Sequence, residues 1–301
     1  MKAPAYGRPA VGVVGLGIMG SAMSANLAKG GFAVAGYDPV AERRSVLGRA
    51  GGRAVRSAAQ VAAEAPILIT SLPSAEALLS VALEIAAERP RERTVIETST
   101  LPIAVKEEAR RTLAAARVTL LDCPLSGTGA QARRKDLAVY ASGTQAAYKR
   151  CVPVFEGFAR THYYLGAFGN GSKMKFLANL LVAIHNVSAA EALVLGEKAG
   201  LDLDTMVKVL ADGAGSSRML QVRGPMMARG DYAEATMKVA VWQKDMKIID
   251  AFARELECPV PLFAATTAIY NAAMAMGFAE ADTAAVCAVL EALANVRRRR
   301  S

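Results

Sequence analysis

The chain has 301 residues, and its hydrophobic share of 53% with a charged share of 21% excludes a disordered chain. Its 36 Lys and Arg residues outnumber 27 Asp and Glu residues, which gives a formal net charge of +9. The length favours two domains. Aromatic residues make up only 6% of the chain, which disfavours a surface that stacks single-stranded bases.

Four of the positive charges are consecutive arginines at residues 297–300, and +5 remains when they are subtracted from +9. A terminal run of this kind is typical of a solvated tail, with contact to phosphates or to an acidic membrane surface as the alternative. Binding of nucleic acid is not expected without further signs of it. The remaining charge is consistent with a small anionic ligand.

The four cysteines form no CxxC pair, and the chain has only two histidines, so no metal site is predicted. We interpret the four cysteines as reduced thiols, which favours a cytoplasmic location. No stretch reaches 18 uninterrupted apolar residues, and no membrane span is predicted. The apolar run at residues 11–19 is better explained by its glycine spacing than by an export signal.

The first half alternates short apolar runs with helical patterns. Strands are expected at residues 11–15, 32–37, 54–55, 67–71, 94–97 and 118–121, followed by 137–141 and 161–165 with one more helix between them. Strands separated by alanine-rich helical stretches indicate a parallel sheet with helices on both faces. The fold class predicted for this half is α/β, a doubly wound domain of the Rossmann type.

The pattern changes after Gly166. A turn signal at residues 168–171 is followed by about seven turns of helical pattern at 172–199. Further helices are expected near residues 204–212, 217–228, 236–256, 262–276 and 281–296. We therefore predict a nucleotide-binding domain at residues 1–165 and an all-α substrate and oligomerisation domain at 166–301, joined by a long helix.

The glycines of GLGIMG at residues 15–20 have the GxGxxG spacing, between a predicted strand and a predicted helix. Gly15 suits the tight turn, Gly17 admits a pyrophosphate to the backbone, and Gly20 lets the helix pack closely. The helix start offers free N–H groups to the anion. The motif in this context predicts binding of a dinucleotide cofactor. The residues predicted to contact the cofactor here are Gly15, Leu16, Gly17, Ile18, Met19 and Gly20.

Asp38 ends the second predicted strand, 18 residues after Gly20. A carboxylate at that position accepts hydrogen bonds from an adenosine ribose and favours NAD. NADP remains the alternative, because Arg43 or Arg44 would bind its 2′-phosphate if the loop curls back. A solvated helix face is the other interpretation of these arginines.

Two more loops follow predicted strand ends, where ligands gather in an open α/β sheet. They contain Leu72 and Pro73 in one case and Ser99 and Thr100 in the other. Polar turns after strands are common, but their place makes these four residues further candidates for cofactor contact.

A dehydrogenase needs an acid/base for the substrate hydroxyl, and the histidines are poor candidates. His162 lies in a predicted strand and His185 in the apolar part of the long helix. Lys175 lies in the first turns of that helix, with Asn179 one turn later. Burial disfavours an ammonium, so a buried lysine readily exchanges a proton. From spacing alone, a surface lysine is the simpler interpretation.

Four motifs, in order along nearly the whole chain, resemble those of the β-hydroxyacid dehydrogenase family, which includes 3-hydroxyisobutyrate, tartronate semialdehyde and L-threonate dehydrogenases. GLGIMG at 15–20 resembles the GLGxMG loop, and DCPLSGT at 122–128 resembles the DAPVSGG substrate loop. GNGSKMKFLAN at 169–179 resembles the GxGxxxKxxxN element, and Lys244-Asp245 resembles the late KD pair.

The resemblance implies hydride transfer between a nicotinamide cofactor and a small 3-hydroxy acid, or its semialdehyde or keto acid. It implies that Lys175 is the general acid/base and that Asn179 assists it. The backbone N–H and hydroxyl donors of Ser126, Gly127 and Thr128 would hold the substrate carboxylate.

The resemblance also places Lys244 near the nicotinamide or the substrate, contributing to both sites, and Ser99 and Thr100 beside the nicotinamide. Asp245 is expected to be structural. Two departures concern the substrate loop, where Thr128 replaces a glycine and Cys123 replaces an alanine. A basic cluster at residues 133–135 either attracts an acid or forms a solvated loop. These departures leave the identity of the hydroxy acid open.

Two alternatives share the architecture. An NADPH-dependent imine reductase typically carries Asp or Tyr in place of the lysine, and a non-catalytic nucleotide-binding module lacks it. The presence of both Lys175 and Asn179 disfavours both alternatives. The apolar helices of the second half, such as AAMAM at residues 272–276, favour a homodimer or homotetramer.

Overall fold

The structure is a computed structural model that describes residues 8–88 and 92–296. The chain forms two compact units that divide after Lys175. The arginine run at residues 297–300 lies outside the described residues.

The first unit contains a six-stranded parallel sheet in the order β3-β2-β1-β4-β5-β6. Its strands are β1 (Val11–Val14), β2 (Val34–Tyr37), β3 (Arg53–Ala54), β4 (Ile67–Thr70), β5 (Arg93–Glu97) and β6 (Val118–Asp122). Both β1 and β4 are buried along their whole length, as expected for central strands covered on both faces. The predicted parallel sheet is confirmed.

Alternation along these strands divides the core of the unit into two clusters. Val13, Ile67 and Ile69 belong to one cluster, and Val14 and Leu68 belong to the other. Successive side chains of a strand point to opposite faces, so each cluster is the packing layer of one face.

Helices cover both layers. They are α1 (Ile18–Lys29), α2 (Ala41–Arg49), α3 (Ala58–Glu64), α4 (Ala75–Ala87), α5 (Ile103–Ala115), α6 (Gly129–Arg133) and α7 (Gln145–Phe158). Helices α1 and α7 contribute Leu27 and Phe155 to the first cluster, while α4 and α5 contribute Ile85 and Leu113 to the second. This doubly wound arrangement confirms the predicted fold class.

Two further strands lie where they are predicted, near residues 137–141 and 161–165, but they form a second sheet with a third strand that the sequence analysis does not predict. This sheet consists of β7 (Leu125–Ser126), β8 (Ala138–Ala141) and β9 (Thr161–Tyr164), in that order. Strand β7 pairs antiparallel with β8, and β8 pairs parallel with β9. A strand of two residues carries too little sequence pattern to be recognised.

The second unit is helical, and its described residues contain no β-strand. A long helix, α8 (Asn170–Lys198), begins in the first unit and continues through the division. It is followed by α9 (Leu203–Asp212), α10 (Arg218–Arg229), α11 (Val239–Glu255), α12 (Pro261–Ala275) and α13 (Val286–Leu293). The helix expected near 281–296 is shorter, because Asp282 caps a 3-10 turn at Thr283–Ala285 that precedes α13.

By length and composition, α8 is also long and apolar enough to cross a membrane, with 44% of its most apolar window buried. Core helices of water-soluble proteins meet the same criterion, so this is weak support for a membrane span. The absence of a membrane span stays a prediction.

Candidate active site

The turn between β1 and α1 requires two of its glycines. Gly15 has φ of +90°, a conformation that favours glycine, and a Cβ there would collide with the carbonyl oxygen of Ser71. A Cβ on Gly20 would collide with the carbonyl oxygen of Gly15. The close approach of α1 to the end of β1 therefore depends on these two positions.

Gly17 is different, because a Cβ at this position would meet no atom within 4 Å. It is the N-cap of α1, and no side chain caps the free N–H groups of the first turn. The open space beside Gly17 continues into a pocket of about 430 Å³, which Arg43 and Arg133 also line. An uncapped helix start beside two cations suits a pyrophosphate. The residues of this loop thus fit a dinucleotide.

The carboxylate of Asp38 is held beside this loop. It is 2% exposed and accepts hydrogen bonds from the backbone N–H groups of Leu16 at 2.8 Å and Val40 at 2.9 Å. The guanidinium of Arg43 lies 3.3 Å from one of its oxygens. Arg44 instead donates to the carbonyl of Asp38 at 2.6 Å, so it is not a freely solvated side chain.

The two strand-end loops contact each other. The backbone N–H of Leu72 donates to Ser99 Oγ at 2.8 Å, and Thr98 Oγ1 donates to the carbonyl of Thr70 at 2.7 Å. Ser99 is buried, while Thr100 is half-buried and Pro73 is exposed. The structure brings Leu72 and Ser99 into contact at the carboxyl ends of β4 and β5, while the cofactor contacts of all four residues stay a prediction.

The loop expected to bind the substrate carboxylate has fewer available donors than the sequence suggests. Thr128 caps α6 in a reciprocal arrangement with Gln131: its N–H and hydroxyl donate to Gln131 Oε1 at 3.0 Å and 3.2 Å. Its hydroxyl oxygen accepts from the N–H of Gln131 at 3.3 Å. Ser126 is half-buried at the end of β7, and Gly127 is exposed with φ of +134°.

A row of polar residues ends three adjacent strands, and sequence reasoning missed its importance. Thr70 is in register with Glu97, and Glu97 is in register with Asp122. Lys106 of α5 reaches this row, with its Nζ 2.8 Å from Asp122 Oδ1, and both side chains are 0% exposed. The sequence contains one sign of this row, because a polar residue ends each of these three apolar strands.

The charges in this row change the ionisation of its members. Burial raises the pKa of Glu97, although Lys106 and Ser99 oppose that shift. Burial alone would lower the pKa of Lys106, but the carboxylates of Asp122 and Glu97 raise it above its ordinary value. Lys106 is therefore an ammonium at neutral pH.

Asp122 also holds the first turn of α8. Its carboxylate accepts from the N–H of Ser172 at 2.7 Å and from the hydroxyl of Ser172 at 2.8 Å. A Cβ on Gly171 would collide with the carbonyl oxygen of Tyr140, so glycine is needed for this approach. Lys175 lies one turn further along the helix and is half-buried.

In the second unit, Asn179 is 4% exposed and its Nδ2 donates to Asp245 Oδ2 at 2.9 Å. Lys244 Nζ lies 3.5 Å from the other oxygen of Asp245, and its side chain is 39% exposed. Asp245 therefore connects two of the candidate residues. Among residues 8–88 and 92–296, no group of three His, Cys, Asp or Glu side chains is arranged to hold a metal ion.

Comparison with known proteins agrees with this architecture. Residues 10–166 match the family described as the NAD binding domain of 6-phosphogluconate dehydrogenase. Residues 169–290 match the family described as NAD-binding of NADP-dependent 3-hydroxyisobutyrate dehydrogenase.

Individual relatives match over nearly their whole length. The L-threonate dehydrogenase of Cupriavidus necator is 33% identical, over 92% of this chain and 94% of that protein. The 3-hydroxyisobutyrate dehydrogenase structure from Salmonella typhimurium has a TM-score of 0.84 and 30% identity, covering 94% of this chain and all of that one. The Mycobacterium tuberculosis 3-hydroxyisobutyrate dehydrogenase structure with L-serine has a TM-score of 0.85 and 28% identity, covering 94% and 99%.

These matches define the class of the protein as a nicotinamide-dependent oxidoreductase. The chain belongs to the family of NAD(P)-dependent 3-hydroxyacid dehydrogenases. The predicted family, its nicotinamide cofactor and its activity as an oxidoreductase of small hydroxy acids are thereby confirmed.

Proposed function

We propose that this chain oxidises the hydroxyl group of a small 3-hydroxy acid, or reduces the corresponding semialdehyde or keto acid, with Lys175 as the general acid/base. In this proposal residues 1–165 form the cofactor-binding domain, and residues 166–301 form the substrate and oligomerisation domain. The contact between Asp122 and the first turn of α8 carries the proposal, because Asp122 also begins the loop that leads to Ser126.

The loop at residues 15–20 would hold the pyrophosphate, with the open position at Gly17 facing it. Asp38 would accept from the adenosine ribose, which favours NAD, and Arg43 beside it leaves NADP as the alternative. Leu72, Pro73, Ser99 and Thr100 would contact the nicotinamide half. When bound, the nicotinamide supplies the acceptor or donor of a hydride.

Lys175, in its neutral form, would take the proton of the substrate hydroxyl while the carbonyl forms. In the reducing direction its ammonium would return that proton to the carbonyl oxygen. Asn179 would assist by orienting the lysine or the substrate oxygen, because its amide is itself held by Asp245 at 2.9 Å.

The substrate carboxylate would bind the donors of Ser126 and Gly127. Thr128 contributes there only if its capping bonds with Gln131 open, since its N–H and hydroxyl are already bonded. Lys244 would supply a positive charge to the same anion or to the nicotinamide side, and its partly exposed side chain is compatible with that role.

The central test replaces the proposed acid/base. Lys175→Met should lower kcat by about 10²–10⁴ with little change in the dissociation constant of NADH, because a general acid/base acts only on the chemical step. The matched control is Lys173→Met, an exposed lysine on the same turn, which should stay within about twofold of the unchanged protein. Retention of most activity by Lys175→Met would contradict the assignment.

The substrate is found by assaying NAD and NADP against a panel of 3-hydroxy acids. The names of the relatives, L-threonate and 3-hydroxyisobutyrate dehydrogenase, define the two arms of the panel. Activity on four-carbon sugar acids without activity on hydroxyisobutyrate would assign the chain to the first arm. No activity with any hydroxy acid would contradict the proposed substrate class.

We also propose a cytoplasmic homodimer or homotetramer formed through helices of the second unit. Leu195, Leu262 and Leu293 are all about 70% exposed there, and apolar surface of this kind is typical of subunit interfaces. Sedimentation as a monomer at micromolar concentration would contradict this assembly.

A further inference from the structure

Lys106 is a fully buried cation of the first unit, and the proposed chemistry does not use it. Its side chain is 0% exposed, and its Nζ donates both to Asp122 Oδ1 at 2.8 Å and to the carbonyl oxygen of Ser99 at 2.7 Å. One ammonium thus connects the loop after β5 with the end of β6.

Ser99 is held by hydrogen bonds to its backbone N–H, its carbonyl oxygen and its hydroxyl oxygen. Its N–H donates to Glu97 Oε1 at 2.7 Å, its carbonyl accepts from Lys106, and its hydroxyl oxygen accepts from the N–H of Leu72 at 2.8 Å. Through the hydrogen bond from Leu72, Ser99 also holds the loop after β4 in place. Both loops that are expected to meet the nicotinamide are therefore anchored to this cation.

Asp122 extends the same connection to α8. Besides Lys106, its carboxylate accepts from the N–H and hydroxyl of Ser172 and from the hydroxyl of Ser142 at 3.2 Å. Ser142 Oγ in turn accepts from the N–H of Gly171 at 2.9 Å. The first turn of the helix that bears Lys175 is held by a carboxylate whose counter-ion is Lys106.

A buried ion pair adds little net stability over apolar side chains of the same volume, because desolvation of both charges opposes their attraction. What a buried ion pair does supply is fixed geometry, because charge-assisted hydrogen bonds are strong and directional and hold the groups that they join in place. Here the joined groups are the nicotinamide loops and the start of the acid/base helix, which must be correctly placed for turnover.

We propose that Lys106 is a positioning residue of the active site, which holds the Ser99 loop and the first turn of α8 in the arrangement that binds cofactor and places Lys175. This inference rests on the proposed function for the role of Lys175, but its effect on cofactor binding does not depend on which hydroxy acid is the substrate.

The test compares two variants with the unchanged protein. Lys106→Met leaves Asp122 without its counter-ion, whereas Lys106→Met combined with Asp122→Asn removes both charges and relieves that burial cost. The matched control is Lys149→Met, an exposed lysine on α7. Each protein is measured by thermal melting, by NADH titration followed through nicotinamide fluorescence, and by steady-state kinetics well below its melting temperature.

We expect Lys106→Met to have a lower melting temperature than the unchanged protein. Its dissociation constant for NADH should be about tenfold higher, and its kcat should be about 10²-fold lower. The double variant should regain most of the melting temperature but not the NADH affinity or kcat, because the carbonyl of Ser99 still lacks its donor. A purely structural role predicts the opposite: the double variant would match the unchanged protein in affinity and kcat, and that result would overturn the proposal. If Lys106→Met does not fold, the NADH affinity and kcat of the double variant are enough to decide between the two roles.

The outcomes also separate this inference from the proposed function. Should the unchanged protein bind NADH but oxidise no hydroxy acid, the proposed substrate class fails, while the NADH affinities of the variants still decide the role of Lys106. Should the enzyme be active and Lys149→Met, Lys106→Met and the double variant all behave alike, only the role of Lys106 fails.

Discussion

Both units of the chain bury an ion pair, and the two pairs differ in what they connect. In the first unit, Lys106 and Asp122 are both 0% exposed. In the second unit, the side chains of Arg223 and Asp282 are 5% and 0% exposed, with Arg223 Nε 3.0 Å from Asp282 Oδ1. The geometry of the two pairs is similar.

Their remaining partners are not similar. Asp282 accepts from the backbone N–H groups of Thr236 at 2.7 Å, Met237 at 3.1 Å and Ala284 at 2.9 Å, so it joins α10, the segment before α11 and the 3-10 turn. None of these groups is a candidate for ligand contact. The same kind of interaction thus stabilises the helical unit internally in one case, and in the other it holds loops that we propose to bind the cofactor.

The largest expected effect on stability concerns the second unit. Arg223→Met leaves the buried carboxylate of Asp282 without its counter-ion and should lower the free energy of unfolding by about 3–5 kcal/mol. The matched control is Arg254→Met, whose partner Asp250 is exposed on the same helix, and it should cost about 0.5 kcal/mol or less. Urea unfolding measures both. Equal losses in the two variants would remove the distinction between buried and exposed pairs.

A smaller effect separates ligand binding from folding within the first unit. Gly17→Ala places a methyl group in open space, so it should lower the free energy of unfolding by at most about 1 kcal/mol while weakening NADH binding about tenfold or more. Gly48→Ala is the control, because Gly48 is an exposed residue inside α2 with no neighbour near its Cβ position. It should leave NADH binding unchanged and stabilise the protein by about 0.5–1 kcal/mol. Unchanged NADH affinity in Gly17→Ala would show that the cofactor does not use this opening.

The smallest expected effect is on the pH dependence of the free energy of unfolding, to which one carboxyl group in each unit contributes with opposite sign. Burial would raise the pKa of Asp282, but Arg223 and the hydrogen bonds from Ala284 and Thr236 bring it below its ordinary value of 3.8. Its contribution to stability is present above that value and is lost as pH falls through the lower pKa of the folded state.

Glu97 behaves the other way, because burial raises its pKa above 4.5. The folded state then holds the proton more tightly, so the contribution of Glu97 to stability is greatest below pH 4.5 and is lost as pH rises through the raised pKa. Glu97→Gln should therefore make the slope of unfolding free energy against pH more positive just above that value. Urea unfolding between pH 3 and about 7 measures these slopes, and an unchanged slope in Glu97→Gln would contradict the assigned shift.

The parts of the site that the sequence predicts are those with local backbone requirements. Gly15 needs a positive φ and Gly20 needs the absence of a Cβ, so their spacing is visible in the chain itself. The alternation of strands and helices is likewise a local pattern, and it gave the Rossmann-type fold class. The roles of Lys175, Asn179 and Lys244 stay predictions of the motifs.

The capping role of Thr128 is also a local pattern of the sequence. Thr128 and Gln131 have the spacing of a capping box, so a helix start at residue 128 was readable from the chain. That reading would have shown that the donors of Thr128 are used within the loop. Its resemblance to a substrate loop instead favoured a ligand role.

Lys106 could not be recognised in the same way. Its sequence neighbours include Glu107, Glu108 and Arg110, which make it resemble any lysine on a solvated helix. Its burial follows from the register that aligns Thr70, Glu97 and Asp122 across three strands, and register between strands depends on packing distant in sequence.

The sequence by itself determined the glycine turn, the alternation of strands and helices in the parallel sheet, and the family, because each depends on neighbouring residues or on short motifs. Tertiary structure alone decided which charges are buried and which loops they hold. A carboxylate and an ammonium become an ion pair only where folding removes water from both, and that depends on parts of the chain that no local pattern connects.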